Sequence, residues 1–256
     1  MLDSQRLINS LASSLKNKPL SAPDAVALQG ALRRDADALL YSSVVSYLDA
    51  VRGLDRSFQT WATVKLYYTV FYALRAYMAA GGICLFYEGS SPFEIVAKPG
   101  EYSHRQQGTT HRCVLNLFTK RFGATLLLSQ TIASDTALEW MVRRREEANY
   151  LRTPFPEPYV TAPFVAIDRA GLVQHLNWIT EQITRKGDVT PAFDPDHAIL
   201  AYPLLVLWET ASVLSRSARP NLPKDASDFI LNNCRVGGKP TACLRKLVST
   251  VLQLQA

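Results

Sequence analysis

Apolar residues recur at steps of three and four along most of this chain, a spacing that predicts helix nearly throughout. Ser21-Ala22-Pro23-Asp24 supplies a capped start, with proline in the first turn and an acid at the third helical position. A long helix is expected from there to about Val51, with Gly53 as its stop. Asp55 or Ser57 can open the next helix, which ends at Ala79-Ala80-Gly81-Gly82. Its apolar stripe is Trp61, Val64, Tyr68, Phe71 and Tyr72, and Arg75 continues that stripe, which is the anomaly. Residues 83–108 are irregular. Ile83-Cys84-Leu85-Phe86-Tyr87 is the best strand signal of a strand-poor chain, Ser91-Pro92-Phe93-Glu94 reads as a capping box, and Pro99-Gly100 and Gln106-Gln107-Gly108 mark a loop.

Thr109 or Thr110 is expected to cap a short helix reaching about Arg121. Ser134 and Asp135 are expected to start the helix that carries Arg143, Arg144 and Arg145. Pro154, Pro156, Pro158 and Pro163 then forbid helix and place a linker or chain reversal. Beyond it, helices are expected over 166–186, from Asp194-Pro195-Asp196-His197 to about Arg219, and near 224–234 and 239–254. The fold class expected is all-α: a helical bundle over 1–155 with a C-terminal helical extension over 156–256 packed on it.

Composition adds limited constraints. The formal charge is +6, and residues 101–152 hold eight basic and five acidic side chains, the densest positive stretch. That bias suits a nucleic-acid partner as well as a modestly basic soluble protein. Cys84, Cys113, Cys234 and Cys243 form no short pairs, so they read as reduced thiols packed in a cytoplasmic protein, with no zinc spacing. The N-terminus lacks a basic stretch leading into an apolar run, and the run 198–208 is interrupted by Tyr202 and Pro203, so neither a signal peptide nor a membrane partner is expected. Phosphate loops, dinucleotide glycine fingerprints, Gly-x-Ser-x-Gly elbows and His-Glu-x-x-His helices are all missing from the sequence. No cofactor and no metal is therefore expected.

The chemistry concentrates in two helices. Arg145 and Asn149 lie four residues apart and can reach one ligand, while Glu146 and Glu147 can pair with neighbouring arginines along a solvated face. Arg75, in an apolar stripe, is costly to bury unless an anion or a carboxylate such as Glu146 or Glu147 meets it. If the two helices pack, Arg75 and the Arg143–Arg145 cluster face one pocket for phosphate. His111, in the first turn of a helix, is expected to stay neutral beside the helix dipole and could act as a general base, with the alternative that it merely packs a helix start. His175 and His197 read as lone histidines, and Asp194 and Asp196 as caps rather than metal ligands.

Three stretches, taken in order, resemble the HEPN superfamily (higher eukaryotes and prokaryotes nucleotide-binding domains). They are the aromatic helix 61–76 ending in Arg75-Ala76, then Thr110-His111-Arg112-Cys113-Val114-Leu115-Asn116-Leu117-Phe118, then Arg145-Glu146-Glu147-Ala148-Asn149-Tyr150. The similarity covers roughly residues 20–152, and Tyr202-Pro203-Leu204-Leu205 with 212–220 is similar to the distal region of YaaC-like relatives. The resemblance implies an up-and-down helical bundle, often a homodimer or the partner of a protein from the same operon. It also implies bacterial antiviral defence or a toxin–antitoxin system, and in many members metal-independent ribonuclease activity.

Those ribonucleases carry an arginine followed a few residues later by histidine, and here Tyr150 stands in that histidine's place. On this resemblance Arg144 and Arg145 would hold an RNA or nucleotide phosphate, Asn149 would hydrogen-bond it, and Tyr150 would stack on a base or lock the helix. Arg75 would complete the anion pocket and His111 would do acid/base work. A non-catalytic interaction subunit is the alternative that the tyrosine favours.

Overall fold

The computed structural model describes residues 1–15, 18–151, 153–216, 220 and 222–254. Helix dominates the described residues, so the fold is all-α in class. A first helix, α1 (Asp3–Leu15), leads into α2 (Ala22–Asp55), and α2 opens as the sequence predicts. The Ser21 hydroxyl accepts from the Asp24 amide at 3.3 Å and donates to its carboxylate at 2.6 Å. Gly53 does not stop this helix. The reversal falls on Ser57, which takes a positive φ of 62°, and α3 (Gln59–Ala80) follows with Phe58, not Asp55 or Ser57, at its N-cap. Ser43 of α2 donates to the Thr69 carbonyl of α3 at 2.6 Å, tying the two into an antiparallel pair.

Three short strands follow: β1 (Ile83–Glu88), β2 (Ser91–Val96) and β3 (His104–Arg105) form an antiparallel sheet with Cys84 opposite Ile95 and Glu94 opposite His104. Ser91-Pro92-Phe93-Glu94 is thus strand, not a helix cap. Pairing with the strand signal at 83–87 overrides the local capping pattern. Glu94 is 1% exposed and accepts from Arg121 at 3.2 Å, which fastens the sheet to the next helix, α4 (Thr110–Phe122). Thr109 caps α4. A small hairpin, β4 (Thr131–Ile132) with β5 (Asp135–Thr136), then precedes α5 (Ala137–Glu146), so Thr136 rather than Ser134 or Asp135 is the N-cap. The chain continues from α5 through a π-helical turn, Glu147–Leu151.

The proline segment is a chain reversal without helix, as expected, until a 3-10 turn at Ala162–Phe164. The helix expected over 166–186 is broken by Gly171, at φ 81°, into α6 (Val165–Ala170) and α7 (Leu172–Glu181). A Cβ at Gly171 would also meet the Gln174 carboxamide at 2.7 Å. A short α8 (Thr190–Phe193) and the long α9 (Ala198–Ser215) come next. The expected end of α9 at Arg219 falls outside the described residues. The chain finishes with α10 (Lys224–Asn233), the hairpin β6 (Arg235–Val236) with β7 (Lys239–Pro240), and α11 (Ala242–Val251).

Helix α9 is continuous through Pro203 and buried at every position from Ala198 to Leu207. By length and composition it could cross a membrane, yet 72% of it is buried inside the bundle, as a core helix would be. It lies against α2 and α3: Tyr47 donates to the Leu200 carbonyl at 3.5 Å, Thr210 to the Ala73 carbonyl at 3.4 Å, and Arg33 to the Leu214 carbonyl at 2.9 Å. One hydrophobic cluster runs from Ile8 and Leu28 through Leu74 to Leu204 and Leu247, so both halves of the chain share a core.

His175 and His197, distant in sequence, meet with ring centroids 5.1 Å apart and Trp178 beside both. His175 Nε2 and His197 Nδ1 are buried without a hydrogen-bond partner among the described residues. Burial, with His197 nearby, pushes the His175 imidazole down to about 4. The folded-state value lies below the unfolded one, so the stabilisation is full above about pH 6.5 and is lost as pH falls towards 4. Denaturant titrations should show stability dropping by up to about 1.4 kcal/mol per pH unit in that window. His175→Phe should flatten the slope, and an unchanged slope would mean that the imidazole is not desolvated. Leu204→Ala, at 0% exposure, should cost about 2–5 kcal/mol by the same measurement.

Candidate functional site

The α3 helix positions the site. It is buried on most of its circumference, and among its aromatics Tyr67 is 1% and Phe71 4% exposed. The stripe read from the sequence is therefore split. Val64 and Phe71 face the core, whereas Trp61, Tyr68, Tyr72 and Arg75 keep a solvent-facing edge.

His111, carried by the first turn of α4, sits against that helix. Its ring centroid is 4.5 Å from Phe71, 5.6 Å from Tyr67 and 5.8 Å from Tyr68. The Tyr67 hydroxyl lies 2.9 Å from His111 Nδ1. Burial pushes the Tyr67 phenol up to about 12, so it keeps its proton at neutral pH. The contact orients the imidazole in either tautomer: the phenol donates to an unprotonated Nδ1 or accepts from Nδ1–H. With the phenol as donor His111 carries its proton on Nε2, and with the phenol as acceptor Nε2 is free to take one. Burial, followed by the charges of Arg145 and Arg75, pulls the His111 imidazole below its usual value and keeps it neutral.

Arg145 reaches this cluster from α5. Its guanidinium carbon lies 5.3 Å from the Tyr67 ring centroid and 5.8 Å from that of Tyr150, so the cation rests between two aromatic rings. Its Nε is buried without a partner, and no carboxylate within salt-bridge distance meets it among the described residues. Arg75, in the last third of α3, lies 5.6 Å from the Phe71 ring. Burial lowers its pKa, with Tyr87, Tyr72 and Asp35 acting in opposition. Asp35 is the acid facing it, but that carboxylate is engaged in capping α1, accepting from the Asp3 and Ser4 amides at 2.7 and 3.0 Å. Neither Glu146 nor Glu147 pairs with Arg75.

Of the six residues expected at the site, the structure brings His111, Arg145, Tyr150 and Arg75 to one region. Arg144 turns away. It pairs with Glu147 at 2.7 Å, stacks on Trp140 at 5.5 Å and lines a cleft with Gln59, Thr60 and Phe164. The reason is angular: adjacent residues on a helix point about 100° apart, so Arg144 and Arg145 cannot share one pocket. Arg143 points elsewhere again, to Asp135 at 2.7 Å. Asn149 lies in the π-helical turn, half-buried and without a side-chain hydrogen bond among the described residues. Tyr67 is the residue that sequence reasoning missed. Its hydroxyl is the feature that orients His111, and the only signal for it was its place among aromatics four residues before Phe71. No group of three or more His, Cys, Asp or Glu residues with metal-ligand placement occurs among the described residues.

Comparison of the chain with protein-family models, with curated proteins and with solved structures returns no match. The arrangement itself defines what the site can do. A guanidinium with no carboxylate within salt-bridge distance, a neutral imidazole and several ring faces form a surface suited to a phosphate oxygen beside a planar group.

Removing a donor to the neutral imidazole, or a nearby cation, should raise the His111 pKa. Arg145→Ala is expected to raise it, and Tyr67→Phe should raise it as well if the phenol is the donor. Proton NMR titration of the His111 Cε1–H signal reads both, with the other histidines as internal controls. A fall or no change in Tyr67→Phe would show that the phenol is not the donor.

Proposed function

We propose that the protein binds RNA or a nucleotide phosphate at the His111–Arg145 cluster. One observation carries the reading: Arg145 lies beside a neutral histidine with no carboxylate within salt-bridge distance among the described residues, and the acid facing Arg75, Asp35, is committed to the α1 cap. A partly buried guanidinium without an anion is costly, and a phosphate supplies that anion. The HEPN resemblance points to the same ligand. It adds a cytoplasmic setting in bacterial antiviral defence or a toxin–antitoxin system, with a homodimer or an operon-encoded partner.

Metal-independent RNA cleavage is the catalytic extension of this reading. A ribose 2′-hydroxyl would attack the adjacent phosphorus, and the P–O5′ bond would break to leave a cyclic phosphate and a 5′-oxygen protonated by water, with Arg145 stabilising the charge that develops. His111 would take the hydroxyl proton only in the tautomer whose Nδ1–H donates to the Tyr67 oxygen. Tyr150 is 69% exposed and serves better as a ring for stacking than as a base. That substitution favours a second reading, a non-catalytic interaction subunit that uses its exposed aromatic residues to bind a partner or a second copy.

The test is incubation of the purified protein and Arg145→Ala with a mixed labelled RNA pool in EDTA, with gel retardation at several salt concentrations. Wild type should retard RNA, less so as salt rises, and Arg145→Ala should weaken binding at least tenfold with unchanged helical circular dichroism. If cleavage accompanies binding with His111 as base, the rate should climb through a His111 pKa below that of a free imidazole and level off above it. Wild type that neither retards nor cuts RNA would favour the interaction subunit. An unfolded Arg145→Ala would make that arginine structural.

A further inference from the structure

The solvent-facing edge of α3 has an order of its own. Trp61, Lys65, Tyr68, Tyr72 and Arg75 succeed one another at steps of four, three, four and three, the spacing of one helical stripe. Ring and cation are interleaved: Trp61 is 55% exposed, the Lys65 side chain 45%, and Tyr68, Tyr72 and Arg75 are each half-buried. At 1.5 Å per residue the stripe is about 21 Å long. His111 and the ring under Arg145 lie at its middle, against Tyr67 and Tyr68.

The rings are held in place. Tyr68 and Tyr72 lie 5.9 Å apart with an interplanar angle of 29°, facing the same way. Trp61 meets Phe155 edge-on at 6.3 Å. Phe155 belongs to the proline segment, and that segment is pinned to the start of α3 at two points. The Glu157 carboxylate accepts from the Thr60 amide and hydroxyl at 2.7 and 2.8 Å, and Gln59 Oε1 accepts from the Thr161 amide and hydroxyl at 2.9 and 3.1 Å. Lys65 is paired with Asp49 at 3.1 Å, but both are well exposed, so exchanging that partner for a phosphate costs little.

We infer that this stripe is a stacking track for unpaired nucleotides. It runs from Trp61 and Phe155 past the His111–Arg145 pocket to Arg75, which makes the ligand of that pocket a single-stranded RNA of several nucleotides. The inference rests on the reading that the pocket holds a phosphate. Chemistry selects the occupant. A protein interface core is depleted of charge, whereas this stripe has a cation between rings and another at its end. A single strand offers planar bases beside phosphates, which suits a stripe where one cation lies between Trp61 and the Tyr68–Tyr72 pair and another follows it. A duplex hides its base faces and presents only its backbone and groove edges.

The experiment measures binding of a labelled mixed-sequence twelve-nucleotide RNA and of the same RNA annealed to its complement. It uses the full chain, Trp61→Ala, Tyr72→Ala and Arg145→Ala, each across a salt series. Wild type should prefer the single strand at least tenfold. Trp61→Ala and Tyr72→Ala should each weaken single-strand binding roughly 5- to 100-fold and leave the salt dependence unchanged, because stacking is lost while no phosphate contact is. Arg145→Ala should instead make the salt dependence shallower. Equal affinity for duplex and single strand, or unchanged binding in both ring variants, would overturn the track while the phosphate pocket stands. Wild type binding neither RNA would overturn the pocket and the track with it. Sedimentation on the same samples adds a further outcome: Trp61→Ala turning a dimer into a monomer would mean that a second copy covers the stripe, which also overturns the proposal.

Discussion

The packing of α3 between α2 and α9 is the constraint from which the rest follows. Apolar side chains from both neighbours cover most of its circumference, and each large side chain buried there contributes about 1.5–3 kcal/mol. An enclosed helix has little room for charge, so Lys65 and Arg75 lie along its one solvent-facing edge, while its buried polar residues Gln59, Thr60, Thr63 and Thr69 are small or hydrogen-bonded. Tyr67 sits where enclosure ends. Its ring is in the core and its hydroxyl reaches the boundary, where His111 is its partner. The core thereby fixes the orientation of the imidazole and holds its Nδ1 at the Tyr67 hydroxyl.

Desolvation then does the electrostatic work. His111 is neutral because burial and two nearby guanidinium groups disfavour a further positive charge. Arg75 is strained electrostatically by the same burial, since its facing acid is committed to the α1 cap. Arg143 and Arg144 form ordinary ion pairs and contribute to the packing of α5. An arginine-rich sequence thus divides into residues that pair with a carboxylate, Arg144 among them although its Nε stays buried without a partner, and Arg145, which meets none among the described residues and marks the candidate site.

The fold class was legible because helical periodicity is local, and the caps at Ser21 and Thr109 lie in short, self-sufficient motifs. The misreadings share a cause. Ser91-Pro92-Phe93-Glu94 carries a capping signal, but cross-strand pairing with β1 decides its conformation. Gly53 looks like a stop, but the helix continues because Ser57 supplies the left-handed turn. His175 and His197 look solitary because their encounter depends on how α7 packs on the start of α9.

What this sequence determined by itself was the succession of helices, the proline reversal after α5, and a shortlist of arginines, histidine and tyrosine with phosphate-binding chemistry. Those are consequences of residue type and short spacing, which act within a few turns of chain. Tertiary structure alone decided that Arg145 joins His111 while Arg144 leaves it, that Tyr67 orients the imidazole, and that Trp61, Tyr68, Tyr72 and Arg75 share an open edge. The reason is physical. Burial and free charge are properties of the assembled core, and the helices that close over α3 come from segments more than a hundred residues apart.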